Sequence, residues 1–130
     1  MARLILDTTV LIGAERASRY LHGVIADEDD VAIAAITAAE LLAGVAVADD
    51  AHRAARSAFA RSVLDSLPIE DYDTQVAHAH ALLLSHVRRS GRPRGAHELI
   101  IAATAIARDR FVVSTDADAF TGLPGVSLRT

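Results

Sequence analysis

With 130 residues, 52% hydrophobic and 23% charged, the chain has the size and composition of one globular domain spanning residues 1–130, which excludes a two-domain architecture and a disordered or collagen-like chain. The absence of cysteine excludes disulfide frameworks, thiolate nucleophiles and cysteine-based zinc or iron–sulfur sites. The net charge of −4 announces no basic nucleic-acid surface, and the 13 basic residues are all Arg beside 27 Ala, a compositional bias expected of a GC-rich genome that weakens any inference from Arg enrichment.

In chain order, Arg3 to Leu6 reads as a short buried strand, and Thr8-Thr9 after Asp7 offers cap chemistry for a helix through Glu15. A second helix follows from Ser18, with Leu21, Val24 and Ile25 on one face, ended by the acidic run Asp27 to Asp30. Val31 to Ile36 is the next strand. Thr37-Ala38-Ala39-Glu40 has the spacing of a capping box, opening an apolar helix through Val47. Asp49 or Asp50 starts another helix ending near Ser66, and Leu67-Pro68-Ile69 is a brief extended edge. A long helix from about Thr74 to Arg89 stops at the Gly- and Pro-containing loop Ser90 to Gly95, and Ala96 to Arg108 is helical again. Phe111 to Ser114 is a strand, Thr115 to Phe120 a turn or short helix, and Val126 to Leu128 a last strand. Strands alternating with helices predict an α/β fold, a parallel sheet with helices on both faces.

In an open parallel sheet, ligands bind beyond the carboxyl ends of the strands. Asp7 directly follows the first predicted strand and Asp116 lies two residues past Ser114, while Glu40 and Glu98 sit in the first turns of helices. Four carboxylates from separated segments can therefore meet at one sheet edge. Like charges brought together there require a compensating cation, and all-oxygen donors suit Mg2+ or Mn2+. Such an ion supports phosphodiester hydrolysis with no organic cofactor. Plainer roles stay open for each residue: Asp7 as a helix cap, Glu40 as the third residue of the capping box, Glu98 as a first-turn acid favoured by the helix dipole, and Asp116 and Asp118 as turn acids.

The segments Leu4-Ile5-Leu6-Asp7-Thr8-Thr9-Val10-Leu11-Ile12, Thr37-Ala38-Ala39-Glu40-Leu41, Glu98-Leu99-Ile100-Ile101-Ala102-Ala103-Thr104-Ala105 and Val113-Ser114-Thr115-Asp116, with Leu123-Pro124-Gly125-Val126, together resemble a PIN domain, and more narrowly the VapC toxins of bacterial toxin–antitoxin pairs. The resemblance implies a three-layer α/β/α fold with a short, mainly parallel sheet. It also implies an Mg2+- or Mn2+-dependent endoribonuclease in which Asp7, Glu40, Glu98 and Asp116 are catalytic. Of these, Asp7, Asp116 and Glu98 would hold metal, with Thr9, Ser114 and Asp118 supporting them. The departure from the family pattern is Glu98, where an Asp is usual; the added methylene moves the carboxylate by roughly 1 Å, enough to turn a direct metal contact into a water-mediated one. His97 before it offers a nitrogen ligand, but a lone His beside a helix start more often reads as a surface residue.

Arg88, Arg89, Arg92 and Arg94 place four positive charges in seven residues just before Glu98, where they can meet an RNA backbone or simply complement a helix C-terminus. The resemblance further implies a cognate VapB-like antitoxin and a homodimer or toxin–antitoxin hetero-oligomer. No apolar run reaches the roughly 20 residues of a membrane span, so a soluble cytoplasmic protein is expected. Two other functions compete. An aspartyl phosphatase would want a second acid two residues after Asp7, where Thr9 stands, and a Lys, of which there is none. A PIN-like RNA- or partner-binding module with a metal site weakened by Glu98 is the stronger alternative.

Overall fold

Leu4, Ile5 and Leu6 are all completely buried in the first strand, β1 (Arg3–Leu6), because the sheet is covered on both faces and its centre must be apolar on both. The structure, a computed structural model, describes residues 1–16, 26 and 28–129. The helix expected around Leu21, Val24 and Ile25 lies outside the described residues. After β1 come α1 (Thr8–Arg16), β2 (Asp30–Ala34), α2 (Ala35–Ala46), α3 (Asp50–Ser66), β3 (Ile69–Glu70), α4 (Thr74–Ser90), α5 (Ala96–Arg108), β4 (Phe111–Val113), a 3-10 turn (Ala117–Ala119) and β5 (Leu128–Arg129). Asp49 and Asp73 cap α3 and α4 by accepting the backbone N–H groups of His52 and Val76, and Gly91 ends α4 in the left-handed region that suits glycine.

The described sheet has the order β3-β2-β1-β4-β5, with every pairing parallel. Side chains alternate across it. Leu4, Leu6, Ile33 and Val113 pack with Val10, Leu11, Leu41 and Val63 from α1, α2 and α3. Ile5, Ala34 and Val112 point the other way, onto Val76 and Leu83 of α4, Leu99 and Ile101 of α5, and Phe120. Each large side chain buried in this way contributes roughly 1.5–3 kcal/mol. The result is the expected three-layer α/β/α arrangement, its sheet wholly parallel. Arg110, 7% exposed, ties β1, β2 and β3 together by donating to the carbonyls of Leu4 and Asp30 and to the carboxylates of Asp30 and Glu70.

Two boundaries differ most from the sequence expectation, beside one-residue shifts at the start of β2 and the end of β4 and a shift of the extended edge from Leu67–Ile69 to Ile69–Glu70. The strand ends at Ala34 and α2 begins at once, so Ile36 is helical and Thr37 is a fully buried residue inside the helix rather than its cap. Ala34 occupies the cap position with no side-chain hydrogen bond, and the Thr37–Glu40 capping box does not form. Good helix formers at Ala34-Ala35 let the helix start without a turn, and Ile36 gains by packing against the α4–α5 side. The last strand begins two residues later than expected, because Gly125, at φ +81°, turns the chain and Val126 closes a turn onto the Leu123 carbonyl.

The chain runs β1 to β2 to β3 in one direction and then returns to β4 on the other side of β1. This makes the boundary between β1 and β4 the topological switch point, the place where an open parallel sheet forms a crevice at its carboxyl edge.

Candidate active site

The register sets Leu6 opposite Val113, and the Asp7 N–H continues the ladder by donating to the Val113 carbonyl at 2.9 Å. Asp7 and Ser114, the residues that follow, therefore stand side by side at the switch point. The Ser114 hydroxyl donates to Oδ2 of Asp7 at 2.7 Å, the Thr9 hydroxyl donates to the same oxygen at 2.8 Å, and the Thr8 backbone N–H donates to Oδ1 at 2.8 Å. Asp7 is 3% exposed. Its carboxylate thus helps to start α1 and also forms the floor of the crevice.

Ser114 has a second contact, accepting the Asp116 backbone N–H at 2.9 Å, and the Thr9 hydroxyl accepts the Thr115 N–H at 3.3 Å. These bonds hold the segment after β4 against the start of α1. Asp116 itself is exposed, and among the described residues its carboxylate has no hydrogen-bond partner. Asp118 is exposed on the 3-10 turn beyond it.

Glu40 lies in the second turn of α2, released from capping by the early helix start. Its Oε1 accepts the Thr8 hydroxyl at 3.2 Å, and Nδ1 of His97, from the first turn of α5, stands 3.2 Å from the same oxygen. Glu40 also borders a cavity of about 250 Å³ between α1, α2 and α3, lined by Thr8, Ile12, Glu15, Arg56 and Phe59 among others.

Glu98 behaves differently. Its carboxylate is folded back along α5 onto Gly95, the residue in the cap position, and occupies the space that a Cβ there would need. Among the described residues, no three of His, Asp and Glu stand close enough to hold one ion together. Asp7 and Glu40 are joined through Thr8, whereas the structure does not bring Glu98 and Asp116 onto the same point.

The donor set nevertheless has the chemistry of a hard divalent cation site. Every acid is a carboxylate, and Asp7 is a buried carboxylate whose partners are two hydroxyls and an amide, with no basic side chain paired to it among the described residues. A carboxylate placed that way is stabilised by hydrogen bonds and leaves its charge to be balanced from the crevice.

The four arginines divide. Arg88, Arg89 and Arg92 are exposed at the end of α4 and in the following loop. Arg94 is committed to the fold: its guanidinium donates to the carbonyls of Asp118, Ala119 and Thr121 at 3.2, 2.9 and 2.6 Å, pinning the 3-10 turn after Asp116. Sequence reasoning did not single out Thr8 as a link between acids, nor His97 as a partner of Glu40. A hydroxyl beside Asp7 was the available signal for the first. Nothing local signalled the second, because α2 and α5 are distant in sequence.

Comparison with known proteins agrees with this geometry. The family model described as "PIN domain" matches residues 4–124. The chain is 37% identical over 126 residues to "Ribonuclease VapC5" of Mycobacterium tuberculosis (strain ATCC 25618 / H37Rv), covering 95% of this chain and 89% of that protein. It superposes with a TM-score of 0.80 and 32% identity, covering 100% of both chains, on a chain of VapBC-5 from Mycobacterium tuberculosis, a member of the VapBC family of toxin–antitoxin systems. A chain of VapBC2 from Rickettsia felis, bound to a DNA fragment from its promoter, matches with a TM-score of 0.87 at 22% identity, covering 98% of this chain and 97% of that one. Sequence and fold together establish that this chain belongs to the PIN-domain family, as a protein of the VapC type.

Proposed function

We propose that the chain is the toxin of a VapBC-type pair and acts as an Mg2+- or Mn2+-dependent endoribonuclease, hydrolysing RNA phosphodiester bonds at the crevice between β1 and β4. The observation that carries this reading is the buried Asp7 carboxylate at the switch point, fixed by Thr8, Thr9 and Ser114 with no basic partner among the described residues. The relatives named ribonuclease VapC5 and VapBC-5 support the assignment.

In this reading Asp7 and Asp116 would hold the ion, Glu98 would join them on turning away from Gly95, and Glu40 would orient a reacting water. When bound, the cation supplies a water of lowered pKa and positive charge for the leaving oxygen. The chain's own contribution is placement. Thr9 and Ser114 set the orientation of the Asp7 carboxylate, and Ser114 holds the Asp116 backbone. Arg88, Arg89 and Arg92 offer charge to the RNA backbone beside the crevice, and the 4% aromatic content gives little means of stacking on bases. The partner is a VapB-like antitoxin covering this crevice, in a hetero-oligomer such as those the related VapBC structures contain, with a toxin homodimer as the other assembly the family suggests.

One observation favours a second reading. The Glu98 carboxylate rests on Gly95, away from a shared ligand cluster, as it would in a PIN-like module that binds RNA or a partner with weakened catalysis. Incubating the antitoxin-free protein with total bacterial RNA in Mg2+, in Mn2+ and in EDTA, then mapping new RNA ends, separates the two. Discrete cuts only with metal support the nuclease. Intact RNA in every condition, with RNA retained by the folded protein in EDTA, supports the binding module.

A further inference from the structure

Glu40 is a long side chain on a helix surface, and holding one such carboxylate in place costs rotamer freedom that contacts must offset. Two other elements meet on its Oε1: the Thr8 hydroxyl from α1 donates to it at 3.2 Å, and Nδ1 of His97 from α5 stands 3.2 Å away as a close polar contact. Thr8 is itself anchored, since its backbone N–H is bonded to Asp7. Hydrogen bonds run from Glu40 through Thr8 to Asp7 and on through Ser114 to Asp116, and the close contact of His97 with Glu40 extends this series to α5. The His97 side chain is about half exposed and makes this contact at the rim of the crevice. The first turn of α5 thus presents two adjacent side chains in opposite ways: Glu98 turned back on Gly95, and His97 reaching across to α2.

We propose that His97 is a positioning residue for the hydrolytic reaction, holding the Glu40 carboxylate in one orientation jointly with Thr8. The inference rests on the nuclease reading above and adds a residue to it. An imidazole nitrogen 3.2 Å from a carboxylate oxygen limits where that oxygen can go, so the carboxylate is set by the Thr8 hydrogen bond and by the His97 ring beside it. Residues that orient acidic groups at a metal centre are typically worth 10- to 100-fold in metal affinity or activity.

The test compares the wild type with His97→Ala, His97→Asn, Glu40→Gln and the His97→Ala/Glu40→Gln double variant, each checked for an unchanged melting temperature. Two readouts are taken: Mn2+ affinity of the RNA-free protein by calorimetry, and kcat and KM on a fluorogenic single-stranded RNA oligonucleotide. His97→Ala is expected to lower kcat and Mn2+ affinity about tenfold with KM unchanged. His97→Asn keeps a polar nitrogen near the Nδ1 position, within contact of Glu40, and is expected to recover most of the loss. The double variant is expected to be no worse than Glu40→Gln, because His97 acts through Glu40. An active wild type with His97→Ala equal to it in both readouts overturns the proposal. So does a His97→Asn variant as impaired as His97→Ala, or losses that multiply in the double variant. A wild type that neither binds Mn2+ nor cuts RNA is a different result: it overturns the nuclease reading and the role of His97 with it.

Discussion

The Ser114 hydroxyl donates to Oδ2 of Asp7 at 2.7 Å and accepts the backbone N–H of Asp116 at 2.9 Å, so one hydroxyl joins the ends of two parallel strands to the acid that follows each. Removing it leaves the Asp7 carboxylate with the Thr9 hydroxyl and the Thr8 backbone N–H as donors, and frees the Asp116 backbone. Ser114→Ala should therefore lose about 1 kcal/mol of stability, and RNA cleavage should fall by about tenfold as Asp7 and Asp116 lose their common reference. Ser114→Thr, which keeps the hydroxyl, should cleave at a rate closer to the wild type. Equal loss in both variants would show that the hydroxyl is not what matters.

Arg94 and its neighbours should separate cleanly. Arg94→Ala removes three hydrogen bonds to carbonyls and should destabilise the protein by about 1–3 kcal/mol in urea unfolding, with an unchanged m-value. Joint replacement of Arg88, Arg89 and Arg92 by Ala should leave stability within about 0.5 kcal/mol. It should weaken RNA binding and flatten its salt dependence, by roughly 0.7 in the log–log slope for each phosphate that the arginines neutralise. A salt slope identical to the wild type would remove these arginines from the RNA path.

Gly95 is not a conformational necessity, since its φ of −61° and ψ of 139° suit any residue. Its role is spatial, because the Glu98 carboxylate fills the volume of a Cβ there. An ordinary Gly-to-Ala change at a compatible position gains about 0.4–1 kcal/mol. Here Gly95→Ala must also displace a carboxylate from a helix N-terminus, a loss of about 0.3–1 kcal/mol, so the net change should be near zero. In a Glu98→Ala background the same substitution should become stabilising. Thermal melts of the four proteins decide it, and a full gain in the Glu98-containing chain would mean that the carboxylate does not rest on Gly95.

Acid should destabilise the fold through groups remote from the crevice. The Val76 backbone N–H, and after it the Arg108 guanidinium, hold the Asp73 carboxyl below its ordinary 3.8; the Ala26 and Ala2 N–H groups, followed by Arg129, do the same for Asp29. A carboxyl lowered on folding stabilises the protein fully above its unfolded value and loses that contribution as pH falls through the folded value. The melting temperature should thus be insensitive to these groups from pH 7 to 5 and fall below about pH 4. Asp73→Asn should start lower at neutral pH and fall less steeply; a parallel curve would show that Asp73 carries no part of the acid sensitivity.

Most of the architecture was legible because its signals are local. Gly91 and Gly95 bracket the loop before α5, Asp49 announces α3, and the apolar runs of β1 and β4 mark strands covered on both faces. The capping box misled because Thr37 and Glu40 have the right spacing, yet Ala34 and Ala35 start the helix first and the packing of Ile36 rewards it. Thr9 and Ser114 were set beside Asp7 by the family resemblance, and the β1–β4 pairing supplies the physical reason. The fold-back of Glu98 and the pairing of His97 with Glu40 could not, since each depends on how side chains settle once α2 and α5 are packed. Arg94 read as one of four like charges, and only the fold shows that the 3-10 turn consumes it.

The most direct test of the central claim is Asp7→Asn in the metal-dependent RNA cleavage assay. Asparagine matches the shape of Asp7, and the hydroxyls of Thr9 and Ser114 can rotate to accept from its amide, so the melting temperature should stay within a few degrees of the wild type. The charge that would hold the cation is gone, and cleavage in Mg2+ or Mn2+ should drop by roughly 100-fold or more. A folded Asp7→Asn protein that cuts RNA at the wild-type rate would contradict the account.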